Sequence, residues 1–255
     1  MKWNRIFLFF IVLAVVFSIA YRLSIPKYSI WSIIEYKQPI NSRDSVKIYD
    51  ELIKLQSIID SSQNKKIRLI SNLSPCKRGD ALLGLNIWDM PKYSTDRQYL
   101  YENKYSTIHK RDSLIDILAL DAYFKALCHT SNDGSLPIIQ GIAGIYMRQG
   151  YFDKSRELYY YTINSNSCND SLRYVSLAGI EKTLRTDKES VFKRYSIKKE
   201  MVMLYEQLYP NHSSYELMTL YQDLGYLGSI IQSEGYVNYC LKAIDLAKNT
   251  KTDLV

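Results

Sequence analysis

Residues 139–165 read IQGIAGIYMRQGYFDKSRELYYYTINS. Apolar residues recur there every three or four positions on both sides of Gly150, the spacing of two amphipathic helices. A helix is expected over about 136–149 and another over about 152–165. Gly150 sits where the chain must reverse, and glycine tolerates the dihedrals a tight reversal needs. Ala143 and Ser155 are small, so two antiparallel helices can approach closely. Tyr146, Phe152 and Tyr159 are expected to fill the space between them and the seam to a neighbour.

The same pattern runs outward. Helical pairs are expected at about 171–185 and 187–209, then at about 214–231 and 235–249, with Pro210 ending the long helix. Thr186-x-x-Glu189 and Ser213-x-x-Glu216 read as capping boxes. Ser131-Asn132-Asp133-Gly134-Ser135 reads as a turn. Before it, Asp112 opens a helix to about Leu127 with a broad apolar face. Ser45 to about Ser61 is a further amphipathic helix. Residues 64–110 give a weaker pattern: a short helix over Asp80–Ile87, then loop and a marginal helix across the Tyr-rich stretch Tyr93–Lys110. No segment alternates with period two, so no strands are expected.

The steps Ile139, Ile142-Ala143, Tyr146, Gly150, Phe152, Ser155, Tyr159 and Thr162 resemble the tetratricopeptide repeat. The departures are Ala for Gly, and Ser and Thr for Ala. Leu224, Leu227-Gly228, Ile231, Gly235, Val237, Cys240, Ile244 and Ala247 match the same steps, eighty-five residues on. The intervening unit, around Leu177-Ala178-Gly179 and Val191-Phe192-Tyr195, lacks the turn glycine. An earlier unit is placed around 112–130. The resemblance covers roughly 136–249 and implies an all-α fold, with antiparallel helix pairs stacked as a tetratricopeptide-like solenoid. It also implies a function: docking of a partner protein or peptide in the groove of the stack.

The chain begins MKWNR, then IFLFFIVLAVVFSIA, then YRLSIP. Ile6–Ala20 carries no charge, and Lys2 and Arg5 precede it. That pattern predicts a membrane-directed segment with a cytoplasmic amino terminus. Fifteen helical residues span about 22 Å, short of a hydrocarbon core of about 30 Å, and Tyr21, Leu23 and Ile25 can extend the run. Two readings stand: an uncleaved signal anchor, or a secretory signal cut after Ser18-Ile19-Ala20. Both place the helical domain outside the cytoplasm, single-pass in the membrane or released as a secreted or periplasmic protein. The expected organisation is 1–25 anchor or signal peptide, 26–44 linker, 45–130 helical region and 131–255 repeats.

The 255 residues carry a formal charge of +7. Setting aside Lys2, Arg5 and Arg22 leaves about +4, spread without a basic run, so nucleic acid is not an expected partner. Cys76, Cys128, Cys168 and Cys240 have no zinc spacing. Cys128 and Cys240 read as buried free thiols, while Cys76 and Cys168 stay open.

His109, His129 and His212 are scattered, and His129 lies at a helix carboxyl end. Glu51 with Asp60, and Asp112 with Asp116, read as solvated helix flanks rather than acid–base pairs. No catalytic, cofactor-binding or metal-ligating residue is assigned, and no enzyme activity is expected. Of 23 tyrosines, most are expected in repeat packing. Tyr159-Tyr160-Tyr161 circles one helix, so at least one ring should face outward.

The expected function is a non-catalytic interaction scaffold or assembly subunit, anchored through membrane lipid or exported. The competing expectation is a sensory or ligand-binding ectodomain for glycan or peptide, with a deep groove of exposed Tyr and few charges.

Overall fold

A computed structural model describes residues 30–34, 40–85, 95–130, 132–184, 188–210 and 215–252. The apolar run Ile6–Ala20 lies outside the described residues, as do Thr186 and Ser213 of the two capping boxes. Among the described residues no helix is long and apolar enough to cross a membrane. The chain divides into two units, 1–36 and 37–255. Of the first, a short helix Ile30–Ile33 is described.

The second unit is all-helical, with no strand among its described residues. Its helices are α1 Ser42–Asp60, α2 Asn64–Ile70, α3 Pro75–Leu83, α4 Thr95–Leu127, α5 Leu136–Arg148, α6 Phe152–Ile163, α7 Asp170–Thr183, α8 Lys188–Leu208, α9 Tyr215–Ile230 and α10 Tyr236–Thr252. Asn41 caps α1 by accepting from the Asp44 amide, and Asn169 caps α7 by accepting from the Leu172 amide. Both satisfy an amide that the first helical turn leaves without a partner.

The expected helices from 136 to 249 fall within a few residues of the observed ones. The stretch before them differs. The described part of the stretch Tyr93–Lys110 is not a loop with a marginal helix, because α4 runs unbroken for 33 residues from Thr95. At 1.5 Å per residue it is about 50 Å long. It packs between α1 and α3 on one side and α5 on another, and that packing holds a polar sequence with little amphipathic signal of its own. The short helix before it is Pro75–Leu83, not Asp80–Ile87, and Pro75 at its start needs no hydrogen-bonded N–H.

From α5 onward each helix packs on the next. In the α5–α6 pair the two small residues meet: Ser155 and Ala143 are fully buried, and Ser155 Oγ donates to the Ala143 carbonyl at 2.8 Å. Gly150 adopts φ +82°. The Tyr151 amide reaches back to the Tyr146 carbonyl at 2.9 Å, and the Gly150 amide to Met147 at 3.1 Å, which together form a Schellman cap. Tyr146 and Tyr159 are buried as expected. Phe152 is not: it is 44% exposed.

In the α9–α10 pair the register differs from the sequence match. Gly235 has φ +82°, but the residue that ends α9 in the left-handed region is Gln232, at φ 53°. There the Ser233 amide reaches the Gly228 carbonyl at 2.9 Å. The close approach to Cys240 is made by Gly225, not Gly228. Gly225 and Gln232 thus stand where Ala143 and Gly150 stand in the earlier pair, and the connection between the helices is two residues longer. Val237 and Ile244 are half exposed rather than buried.

Candidate functional site

Three helix faces meet in one groove. Lys199, Val202, Met203 and Glu206 come from α8, Tyr221 and Leu224 from α9, and Tyr239 and Lys242 from α10. Spacings of three and four residues put each set on one helix face. The groove is partly open to solvent, with a volume of about 160 Å³. Its floor is apolar, with Leu224 fully buried and Val202 nearly so, whereas Met203 is 58% exposed at the rim.

The polar groups are arranged around Tyr221. Its hydroxyl donates to the Glu206 carboxylate and accepts from Lys242 Nζ at 3.1 Å. The same ammonium lies 4.9 Å from the Tyr221 ring centroid, within cation–π range. Tyr239 stacks on Tyr221 with centroids 6.1 Å apart and planes at 23°. Burial, then the hydrogen bond to Glu206, pushes the Tyr221 phenol well above its ordinary range. Burial, then the neighbouring Tyr195, also raises the Tyr239 phenol. Tyr221 therefore stays neutral, and the groove carries one carboxylate against two ammonium groups. Such a pocket can hold an apolar side chain beside an anionic group.

The carboxylates Asp112 and Asp116 are not solvated flanks. Both are buried. Arg111 Nη2 reaches Asp112 at 2.6 Å and donates from Nη1 to Gln56 at 3.1 Å. Arg148 reaches Asp116 at 2.6 Å. Two arginines thus balance two carboxylates, and burying ions requires such pairing. Burial pushes the Asp112 carboxyl above its ordinary value despite Arg111. Glu51 does lie at the surface, paired with Lys110 at 2.6 Å. Asp60 is exposed and accepts from the Ser62 amide at 2.9 Å.

All four cysteines are free. Cys128 is exposed rather than buried, because it follows the last turn of α4 and falls off the apolar face. Cys240 is half-buried, with its thiol on Gly225. His109 stands edge-on to Tyr105, with centroids 6.0 Å apart. His129 follows the carboxyl end of α4, where its amide reaches the Ala126 carbonyl. His212 lies outside the described residues. No cluster of His, Cys, Asp or Glu among the described residues has metal-binding geometry.

A second set of close contacts joins successive helices. Tyr123 is sandwiched by two glycines: a Cβ on Gly79 of α3 or on Gly141 of α5 would come within 2.6 Å of its ring. Its hydroxyl donates to Asp80 at 2.7 Å. The Tyr159 ring occupies the space a Cβ would take on Gly179 of α7, and a Cβ on Gly228 of α9 would lie 3.2 Å from Tyr195. Tyr123, Tyr159 and Tyr195 are thirty-six residues apart in turn. A period-36 search on Tyr would have found this series, whereas the 85-residue spacing of Gly150 and Gly235 pointed elsewhere.

Comparison with protein-family models, with curated proteins and with solved structures finds no match.

Proposed function

We propose that this chain is a non-catalytic scaffold built of tetratricopeptide-like hairpins, and that it binds a partner peptide in the α8–α9–α10 groove. The observation that supports this reading is the groove itself: an apolar floor of Val202 and Leu224, a tyrosine pair, and two lysines against one glutamate. A peptide offering an apolar side chain next to a carboxylate complements that lining. Three charged residues fit a charged peptide better than a neutral glycan, which ranks the peptide above the ectodomain for sugars. In the same proposal the leading run Ile6–Ala20 directs the chain to the membrane, as an uncleaved anchor or a signal peptide, with the helical domain outside the cytoplasm.

The binding test uses a panel of labelled short peptides, acidic, neutral and basic, each with an aliphatic or aromatic neighbour. Acidic members should bind, and Lys199→Glu and Lys242→Glu should each weaken them by roughly tenfold, the scale of a lost charge-assisted contact. Uniform binding of all classes, or none, would remove the groove as a peptide site. Placement is tested apart from binding, by protease accessibility of the helical domain in intact cells and by mass spectrometry of the mature amino terminus. Protection of the domain would remove the external location, and a mature chain starting at Tyr21 would remove the anchor.

A further inference from the structure

Positive charge is concentrated early in the helical domain. From Ser61 to Gly79 the sequence holds Lys65, Lys66, Arg68, Lys77 and Arg78 and no carboxylate. The first three belong to α2, Asn64–Ile70. That helix is seated on the domain by one apolar face, with Ile67 fully buried and Ile70 nearly so. Its start is held by Asn64 Nδ2, which donates to Ser57 Oγ of α1 at 2.7 Å. Lys65, Lys66, Arg68 and Leu69 make up the opposite face, and all four are exposed. Its three cations have no carboxylate partner among the described residues. Arg78, by contrast, is spent on the Leu73 carbonyl at 2.7 Å.

Successive helical residues are turned by about 100°. Leu69 therefore projects between Lys65 on one side and Lys66 on the other, with Arg68 beyond Lys65. Leu69 is 60% exposed. A single exposed leucine is ordinary. One flanked on both sides by unpaired cations has the arrangement with which a helix lies on a lipid surface. The leucine enters the headgroup boundary, and the long basic side chains bend past it to the phosphates.

We propose that the exposed face of α2 docks on anionic lipid and holds the helical domain against the membrane. This rests on the membrane placement proposed above, and the run Ile6–Ala20 is what favours lipid over an acidic protein. The face is convex and two turns long, which a flat headgroup layer covers and an extended peptide does not. Each basic residue beside such a surface is worth about fivefold in binding, so three give on the order of a hundredfold. That is weak for a free protein and ample for one held beside the bilayer by its own chain.

Lysine acetylation footprinting of the full chain, read by mass spectrometry, tests the face directly. The chain is reconstituted with vesicles of phosphatidylcholine alone or of phosphatidylcholine mixed with phosphatidylglycerol. Rates at Lys65 and Lys66 are taken relative to Lys248, an exposed lysine of α10. Phosphatidylglycerol should slow both by at least about threefold, phosphatidylcholine alone should not, and added salt should restore them. Arg68→Glu and Leu69→Glu should each remove most of the protection, with circular dichroism unchanged because both side chains are exposed. An alkaline carbonate wash of the same vesicles tests the anchor separately. A chain that is released by carbonate yet protected by phosphatidylglycerol loses the anchor and keeps the docking face. Rates that phosphatidylglycerol leaves unchanged overturn the docking face, whether or not the chain is inserted. Protection by an acidic peptide without vesicles, or protection that neither variant reduces, overturns it as well.

Discussion

The Tyr159 ring lies where a side chain on Gly179 would begin. One residue belongs to α6 and the other to α7, so the contact sets how closely successive hairpins stack. Gly179→Ala should force the ring aside and destabilise the fold by about 1–3 kcal/mol, the usual cost of overpacking a filled core. Gly84→Ala is the contrast: Gly84 has φ −67°, and a Cβ there would meet only backbone oxygens at 3.6 Å and beyond. That substitution should be neutral or stabilise by up to about 1 kcal/mol. Urea midpoints separate the two, and equal effects would refute the seam.

The two turn residues give opposite expectations. Gly150 has φ +82° with open space around it, so Gly150→Ala should cost about 1–2 kcal/mol from backbone conformation alone. Gln232 already bears a side chain at φ 53°, so Gln232→Gly should stabilise by about 1 kcal/mol. Thermal unfolding of both variants checks the register assigned to the α9–α10 pair. Destabilisation by Gln232→Gly would contradict it.

Burial pushes the Tyr159 phenol up to about 12, against a small opposing effect of Arg148. A raised folded-state value means the stabilisation is complete below pH 10 and is lost as pH climbs through about 12. Tyr159→Phe should therefore lose less stability than the original chain across that interval, by at most about 2–3 kcal/mol. Phenolate absorbance and urea midpoints at matched pH measure it. Parallel alkaline profiles for the two proteins would sink the assignment.

Asp112 behaves alike at the acid end. Burial raises its carboxyl above 3.8, and Arg111 offsets this only in part. Its contribution is present below that value and is lost as pH rises through the folded-state value. The stability of Asp112→Asn relative to the original should thus improve on going from pH 4 toward neutrality. A difference that stays constant over that range would show that Asp112 is not destabilised by burial.

Helix existence was largely readable along the chain. Between 136 and 249 the apolar spacing is regular, and regular spacing is what an amphipathic helix requires. The reading failed over 95–110, where Tyr and charged residues alternate without a clear face and α4 is held by its neighbours. It failed at Asp112 and Asp116 because Arg148, the partner of Asp116, stands thirty-two residues away. It failed at Cys128 because one residue past a helix end changes its exposure. Of the groove residues Leu224 alone was named, as a repeat step and not as a binding residue, since each looks ordinary on its own helix.

The sequence by itself therefore determined that the chain is helical, where most helices run, and that small residues sit at the α5–α6 crossing. Those are local properties, written in periodicity and residue size. Only the tertiary structure decided that Gly225 and Gln232, rather than Gly228 and Gly235, set the α9–α10 register. It alone joined Lys199, Tyr221 and Lys242 into one groove and left Val237, Leu241 and Ile244 of α10 exposed among the described residues. Contacts between helices depend on how neighbouring surfaces interlock, and a single strand of sequence carries no direct record of which surfaces meet.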